Sequence, residues 1–258
     1  IILIIATSLF SLFFLLVLAA YISLPDISEM VERYEHSQPT VMYDINGEVI
    51  ESVEKENRDV VKIDKIPKEL QMAFVTVEDK RFYSHHGFDL KRTGKAMFVN
   101  IIKMRKAQGG STITQQLARN AFLSMEKTIT RKIKEAIITM ELEKKYSKDE
   151  ILEKYLNEIY FGEGAYGVQT ASKIFFNKNV EDLTLAECAM LAGIPNRPKK
   201  YSPLNHFENA KERQELILKL MVNNGVISEK EYERAVDYKI RITQKKIKKK
   251  QGVKAPEF

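Results

Sequence analysis

The sequence predicts a mainly α-helical domain with one small β-hairpin, preceded by a single N-terminal transmembrane helix. Beyond Pro67 the chain shows helical periodicity with clear capping signals. One alternating apolar-polar segment surrounds an Asn-Gly pair, and the first 25 residues carry no charge. No G-x-G-x-x-G motif follows a strand and no P-loop is present, so a nucleotide cofactor is not indicated.

The N-terminal segment IILIIATSLFSLFFLLVLAAYI is a run of 22 almost entirely apolar residues. A helix needs about 20 such residues to cross a bilayer. A secretory signal has an apolar run of about 7 to 15 residues before a small-residue cleavage site, which Ala19 and Ala20 could mimic. We favour an uncleaved transmembrane helix over residues 1–25. Because the chain begins at Ile1 rather than Met, further residues are expected upstream.

Residues 26–60 are expected to form a polar stalk that contains the hairpin. In VMYDINGEVIESV, apolar and polar residues alternate around Asn46-Gly47, which supplies the positive φ angles of a tight turn. Residues 61–237 would then form the main domain, and residues 238–258 a basic tail.

Helix boundaries in the main domain follow from capping residues. Pro67 suits the first turn of a helix that runs through KELQMAFVTVEDKRF. A later helix should end at Gly193, before Pro195. Three helices should begin with capping boxes, in which a Ser or Thr is matched by Glu three positions on: Ser147 with Glu150, Thr184 with Glu187, and Ser228 with Glu231.

The composition excludes several classes of function. Residues 238–258 carry a net charge of +7 and the remainder −1, so the basicity belongs to the tail and does not indicate a nucleic-acid partner. The tail could touch anionic lipids or wall polymers, or simply be solvated. The single cysteine, Cys188, lies in an apolar run and should be a buried structural thiol. The four histidines show no zinc-ligand spacing.

The first chemistry-bearing segment is EDKRFYSHHG, residues 78–87. If the helix continues, Glu78 and Phe82 share a face, and the aromatic ring would partly dehydrate the carboxyl as a general base requires. The second segment, GGSTITQQLAR at 109–119, opens a helix at Ser111-Thr112 whose N–H groups favour an anion such as pyrophosphate. Gln115 and Gln116 would suit hydrogen bonds to a sugar. Each segment alone could be an ordinary solvated or capped helix end.

The third segment is TRKIKEAIITMELEKKY, residues 130–146. Three of its apolar residues are expected to face the core, namely Ile133, Ile137 and Met140. Arg131, Lys132 and Lys134 could clamp a phosphate, although a surface helix with one salt bridge is the simpler alternative. The fourth segment, KDEILEKYLN at 148–157, we interpret as structural. Its core-facing stripe is Ile151, Leu152, Tyr155, Leu156 and Ile159.

Together these segments closely resemble, in order and spacing, the motifs of the peptidoglycan glycosyltransferases, glycosyltransferase family 51. The family pattern is E-D-x-x-F-x-x-H-x-G, G-x-S-T-x-T-Q-Q, R-K-x-x-E and K-x-x-I-L-x-x-Y-L-N, and the similarity extends over roughly residues 60 to 230. The chain looks like the stand-alone, monofunctional form. Ser124-Met125-Glu126-Lys127 matches a transpeptidase S-x-x-K, but no S-D-N or K-T-G accompanies it.

The resemblance implies a lysozyme-like domain that joins lipid II into β-1,4-linked glycan and releases undecaprenyl pyrophosphate. Glu78 would be the catalytic base, and Glu135 would assist the leaving pyrophosphate with a divalent cation, Mg or Mn. Arg131, Lys132 and Lys134 would neutralise phosphate. Further residues would shape the donor pocket, with Asp79 in a supporting role: Asp79, Phe82, His85, Ser111, Thr112, Gln115, Gln116 and Arg119.

The same resemblance implies a single-pass membrane enzyme on the outer face of the cell membrane and a target of moenomycin. Its partners would be lipid II, the growing glycan strand, membrane lipids and proteins of wall synthesis or division. The basic amphipathic stretch DLKRTGKAMFVNIIKMRKAQ could insert into a lipid interface or pack on the core. Two alternatives remain open at this point, a lysozyme-like glycan-cleaving enzyme and a non-catalytic cell-wall scaffold.

Overall fold

A computed structural model of the protein describes residues 2–24, 27–32, 40–43, 49–53, 57–102, 109–123 and 128–243. Over these ranges the chain is mainly helical, as predicted. The helices are α1 Ile2–Ile22, α2 Ile27–Glu32, α3 Lys68–Glu78, α4 Leu90–Ile102, α5 Ile113–Phe122, α6 Ile129–Lys145, α7 Lys148–Glu158, α8 Val168–Phe176, α9 Leu185–Gly193, α10 Pro198–Tyr201, α11 Phe207–Asn223 and α12 Glu229–Asp237. The strands are β1 Thr40–Tyr43, β2 Val49–Val53, β3 Asn57–Arg58, β4 Tyr160–Gly162 and β5 Ala165–Tyr166.

The predicted hairpin is confirmed, because β1 pairs antiparallel with β2 and Thr40 lies opposite Val53. Its Asn46-Gly47 turn lies outside the described residues. A second small sheet, in the order β3-β5-β4, was not predicted. The chain reverses between β4 and β5 through three consecutive positive φ angles at residues 162–164. The expectation of nearly continuous helix beyond Pro67 is therefore wrong at β4 and β5. Strands of three and two residues are too short to show alternating apolar and polar side chains in the sequence.

Helix α9 lies at the centre of the domain, where it packs against α3, α8, α11 and α12. A helix that is apolar on nearly all sides is expected in such a position. Its predicted end at Gly193 is confirmed, and so are the three capping boxes. Cys188 is fully buried, and burial raises the pKa of its thiol. The interpretation of Cys188 as a structural residue therefore holds.

The expected domain boundaries need correction at both ends. Val31, in the predicted stalk, is buried in the core, and its carbonyl accepts a hydrogen bond from the Tyr146 hydroxyl at 2.8 Å. At the other end, the Thr243 N–H donates to the Phe175 carbonyl at 2.9 Å, so residues 238–243 are not a free tail. Apolar side chains such as Val31 and Ile242 anchor these segments despite their polar neighbours. Most of the tail lysines lie outside the described residues.

The predicted transmembrane segment forms α1, which is 21 residues long. The structure describes only part of its side chains. Judged on the described residues, no helix of the chain is long and apolar enough to cross a membrane. The transmembrane helix therefore stays a prediction.

Candidate active site

Helix α3 ends at Glu78, four residues earlier than the first motif suggested. Asp79 is the C-cap with φ −159°, and Phe82 lies in a separate 3-10 turn with its ring fully buried. The expectation that Glu78 and Phe82 share a helical face is therefore wrong. The chain leaves the helix here because the Asp79 carboxylate binds groups on another part of the fold.

Asp79 is completely buried and joins the end of α3 to the start of α5. Its Oδ2 atom accepts a hydrogen bond from the Ile113 N–H at 3.1 Å, at the positive end of the α5 dipole. Both of its carboxylate oxygens lie 3.0 Å from Nε2 of His85. Arg92 adds a guanidinium at 3.9 Å. These contacts also turn His85 towards the interior.

Glu78 is half-buried and has one partner on α5. Its Oε2 atom accepts a hydrogen bond from the side-chain amide of Gln116 at 2.8 Å. Its backbone carbonyl accepts from the Arg92 guanidinium. Within the described residues, the other carboxylate oxygen, Oε1, receives no hydrogen bond and is available to a ligand.

The second motif forms the N-terminus of α5, as predicted. Thr112 is the N-cap, and its hydroxyl also donates to the Gly87 carbonyl at 2.7 Å. Gln115 completes a capping box with Thr112 and is only 7% exposed. Its amide is therefore committed to the helix start, whereas Gln116 contacts Glu78. Of the two glutamines predicted to bind sugar, the structure brings only Gln116 beside the base.

The third motif places two cations around Glu135 on α6. Glu135 is 1% exposed, its Oε2 accepts from the Arg131 guanidinium at 2.9 Å, and its Oε1 accepts from the Lys132 ammonium. The Lys132 ammonium also donates to the Ser111 hydroxyl at 3.3 Å, and its side chain is 49% exposed. Lys134 forms no ion pair with the described part of the chain. Lys132 is thus the member of the predicted clamp that solvent or a ligand reaches most easily.

The expected core face of α6 is wrong. Met140 is 47% exposed, and the residues that this helix buries are Glu135, Ile138, Thr139 and Leu142. Together with α1, Ile137 and Met140 line a separate cavity of about 750 Å³. A helix can bury the face that carries a carboxylate when neighbouring cations neutralise that charge. The apolar period alone does not reveal this.

The fourth motif is structural, as predicted, because the whole stripe from Ile151 to Ile159 is buried. Lys148 lies 4.6 Å above the Phe82 ring and donates to Glu143 at 2.8 Å. Glu143 in turn accepts from the Thr114 hydroxyl of α5. This motif therefore fixes α5, α6 and α7 against one another.

A cavity of about 560 Å³ adjoins Gln116 along the C-terminal half of α5. Its aromatic wall is formed by Tyr160 and Tyr166, whose ring centroids lie 4.7 Å apart. Its remaining lining residues are Arg119, Asn120, Leu123, Glu158, Ile159, Pro195 and Pro198. Arg119 was predicted for the donor pocket, whereas the tyrosines were missed. The repeated aromatic in YFGEGAYG was the signal that could have indicated them.

Comparison with known proteins decides the family. The sequence model of the transglycosylase family matches residues 46–222, more than half of the chain. The chain belongs to the transglycosylase family. This confirms the resemblance to the peptidoglycan glycosyltransferases, and the predicted enzyme class agrees with it.

Penicillin-binding protein 1F of Bacillus subtilis (strain 168) is 53% identical over 188 residues, which cover 73% of this transglycosylase and 26% of the relative. Penicillin-binding protein 1A of Aquifex aeolicus (strain VF5) is 44% identical, with 84% and 30% covered. The crystal structure of penicillin-binding protein 1A from Haemophilus influenzae is 25% identical, with a TM-score of 0.48, and covers 81% of this chain and 22% of that one. The chain thus spans about a quarter to a third of the length of these relatives.

In this transglycosylase, α5 connects the catalytic candidates. Ser111, just before the helix, contacts Lys132, which pairs with Glu135; Gln116 contacts Glu78. Gln116 is the fourth residue of α5, and Ser111 lies two positions before the helix begins. The residues that contact the candidate base and the cation cluster therefore lie at the N-terminal end of the same helix.

The residues of this transglycosylase do not fit a divalent cation held by the protein alone. Both Glu135 oxygens already accept hydrogen bonds from cations, whose charge repels a metal ion. In the part of the chain that the structure describes, no three His, Cys, Asp or Glu side chains converge to hold a metal. We derive no step through such an ion.

Helix α4 of the transglycosylase presents apolar side chains to solvent. Leu90, Phe98 and Ile102 are exposed, whereas Ala96 is buried. This favours the interfacial reading of the amphipathic stretch over packing on the core. The basic residues that follow, 103–108, lie outside the described residues, and so does the transpeptidase-like segment at 124–127.

Proposed function

We propose that this transglycosylase polymerises lipid II into β-1,4-linked glycan strands, with inversion at the donor sugar and release of undecaprenyl pyrophosphate. One observation carries the proposal. Glu78 keeps one carboxylate oxygen without a hydrogen bond from the described residues, and the residues that contact Glu78 and the half-exposed Lys132 lie five positions apart at the N-terminal end of α5. This arrangement suits a base on one side of a reacting sugar and a diphosphate on the other.

Glu78 acts as the general base. Its Oε1 atom accepts the proton of the acceptor 4-hydroxyl as that oxygen attacks the donor anomeric carbon. The Gln116 amide holds the other oxygen at 2.8 Å, so the reacting oxygen has a fixed direction. A positioned base of this kind contributes about 10²- to 10⁴-fold to a rate.

Lys132 and Arg131 stabilise the diphosphate that leaves. Because the Lys132 side chain is half-exposed, its ammonium can donate to a phosphate oxygen while it keeps its contact with Glu135. Glu135 holds both cations in place before the ligand arrives. Fixed charges that meet developing negative charge lower the barrier without a reorganisation cost. Glu135 therefore assists the leaving group through these cations.

The cavity beside Gln116 accommodates sugar. Tyrosine rings, amides and charged groups line it, and such surfaces combine apolar faces with donors and acceptors for hydroxyl groups. Since Gln116 belongs both to this cavity and to the Glu78 contact, a glycan bound there would end at the base. The growing strand is the ligand we assign to it.

We place the enzyme at the outer face of the cell membrane with a single N-terminal span. The support is the apolar length of residues 1–22 and the exposed apolar face of α4, which would bring the cleft to the lipid surface. Membrane lipids and proteins of wall synthesis or division are the partners this location implies. The lysozyme-like topology also remains a prediction.

A glycan-cleaving enzyme of lysozyme type is the rival function. It would share a catalytic glutamate but would have no use for cations beside the cleft. A scaffold without activity would not need the hydrogen bonds and ion pairs that position Glu78 and Glu135. The contacts of Lys132 and Arg131 therefore favour polymerisation.

The test is a gel assay of the purified protein with labelled lipid II in detergent. We expect long glycan products with stoichiometric undecaprenyl pyrophosphate. Cleavage of preformed glycan without diphosphate release would establish the hydrolase, and no reaction with either substrate would support the scaffold.

A further inference from the structure

Tyr155 lies behind the catalytic glutamate, in the apolar stripe of α7. Its side chain is fully buried, and its ring packs edge-on against Phe74 with centroids 6.0 Å apart. Packing explains the ring but not the hydroxyl, which a phenylalanine would lack. That hydroxyl lies 3.5 Å from the amide oxygen of Gln116.

Gln116 therefore connects Tyr155 to Glu78. Its amide oxygen faces the Tyr155 hydroxyl, and its amide nitrogen donates to Glu78 Oε2 at 2.8 Å. An amide has a donor end and an acceptor end, and these are nearly equal in shape. Rotated by half a turn, Gln116 would place an oxygen against the carboxylate, which repels it.

The Tyr155 hydroxyl remains protonated over any ordinary pH range. Burial, and next the nearby charge of Glu78, raise its pKa well above 10.0; Arg119 acts in the opposite direction, and Asp79 adds to the rise. The protonated hydroxyl donates a hydrogen bond to the amide oxygen of Gln116. It therefore favours the orientation in which the amide nitrogen faces Glu78.

We propose that Tyr155 is a positioning residue, whose hydroxyl turns the Gln116 amide N–H towards Glu78 and thereby fixes the direction of the catalytic carboxylate. The inference rests on the proposed function, since it concerns how Glu78 works as a base. No covalent bond in this chain of contacts changes. The proton moves from the acceptor hydroxyl to Glu78 Oε1, and Tyr155 and Gln116 exchange none.

The hydroxyl is most useful when Glu78 has taken up the proton. An ionised Glu78 orients the amide by its own charge, whereas a protonated Glu78 does so much less. The Tyr155 hydroxyl does not depend on that charge. It keeps the Gln116 amide N–H directed at Glu78 after each proton transfer.

The decisive variant is Tyr155→Phe, which keeps the ring and its contact with Phe74. We expect kcat for lipid II polymerisation to fall about fivefold, the effect of one lost hydrogen bond, with KM changed by less than about twofold. The acidic limb of the kcat–pH profile should move to higher pH, because the ionised base loses part of its hydrogen bonding. The charged groups that face this contact, Asp79, Arg92 and Arg119, are unchanged in the variant.

A second variant separates orientation from packing. Gln116→Leu removes the residue that connects Tyr155 to Glu78. It should move the acidic limb of the kcat–pH profile further towards higher pH. Once Gln116 is gone, adding Tyr155→Phe should cost no more activity, since the two residues act in series. Tyr146→Phe is the matched control. It removes a partly buried tyrosine hydroxyl that donates to the Val31 carbonyl rather than to Gln116, and it should leave kcat and KM unchanged.

Three results would overturn the inference. The first is wild-type kcat in Tyr155→Phe with an unshifted acidic limb of the pH profile. The second is a loss of both kcat and melting temperature with that limb unshifted, which would mean that Tyr155 acts by packing alone. The third is a double variant in which the two losses of activity simply add. A wild-type protein that does not polymerise lipid II would instead overturn the proposed function, and this inference with it.

Discussion

Glu78 and Glu135 are the same side chain in two opposite settings. Glu78 is half-buried and touches a neutral amide, while Glu135 is almost fully buried and touches two cations. The comparison teaches that partners distinguish the two glutamates: a neutral amide contacts the candidate base, and two cations contact the glutamate of the candidate phosphate site.

The largest expected effect comes from Glu78→Gln. The amide cannot accept the proton, so polymerisation should fall at least a hundredfold while the melting temperature stays within about 2 °C of wild type. A lipid II gel assay and a thermal melt check both points. Glu215→Gln, on α11 in an exposed pair with Lys211, is the control and should keep full activity. Near-normal turnover by folded Glu78→Gln protein would remove Glu78 from its role.

Glu135→Gln should behave differently, because it breaks a buried ion pair. We expect an activity loss of about tenfold or more and, unlike for Glu78→Gln, a loss of about 3 kcal/mol in the free energy of unfolding. Urea denaturation of the two variants side by side measures the contrast. Equal stability of both variants would show that the two glutamates are not in distinct settings.

Lys132→Ala tests the ligand side of the same pair. Since Lys132 is half-exposed, we expect little change in stability but about tenfold weaker binding of moenomycin, a phosphate-bearing inhibitor. Fluorescence titration gives the affinity. Lys144→Ala on the same helix, which removes an exposed pair with Glu141, should bind as wild type does. If both alanine variants bind equally tightly, Lys132 is not part of a phosphate site.

Asp89 is a buried carboxylate outside the proposed ligand contacts. Burial tends to raise its pKa, but hydrogen bonds from Arg81 and the Arg92 N–H outweigh this and lower the pKa below 3.8. A carboxyl group whose pKa is lower in the folded state stabilises the fold at pH values above its pKa in the unfolded state. That stabilisation is lost as the pH falls through the pKa of the folded state. Unfolding measured between pH 7 and pH 2 should therefore show a decline below about pH 4. In Asp89→Asn the free energy of unfolding should decline less steeply with falling pH, and kcat should be nearly unchanged. The same slope in variant and wild type would show that Asp89 contributes nothing to the pH dependence of stability.

The smallest expected effect is that of divalent cations on the free protein. Because cations already occupy both oxygens of Glu135, adding Mg or Mn, or removing it with EDTA, should leave the melting temperature unchanged. A clear stabilisation by Mn without substrate would mean that Glu135 exchanges Lys132 for the metal.

The motifs contact one another in the fold, whereas the periodicity misjudged the packing around them. Gln116 of the second motif contacts Glu78 of the first, and Ser111 of the second contacts Lys132 of the third, which pairs with Glu135. The predicted helix through Phe82 failed because the tertiary contact between Asp79 and Ile113 stops α3 early, and no local pattern shows that contact.

The cavity lining shows the same limit of sequence reasoning. Tyr160 and Pro198 are 38 positions apart and meet only because Gly162 lets β4 lie against α10. Likewise, the buried face of α6 depends on cations that neutralise Glu135, which an apolar period does not register. Sequence spacing reveals partners within one element, whereas contacts between distant elements need the fold.

Gly87, the last residue of the first motif, sets how closely its loop approaches α6. It has φ +80°, and a methyl group at its position would lie 2.7 Å from Thr139 on α6, one turn after Glu135. Alanine there would strain the backbone and push the loop away from α6. The distance between this loop and the helix that carries Glu135 is thus set by a residue that has no side chain at all.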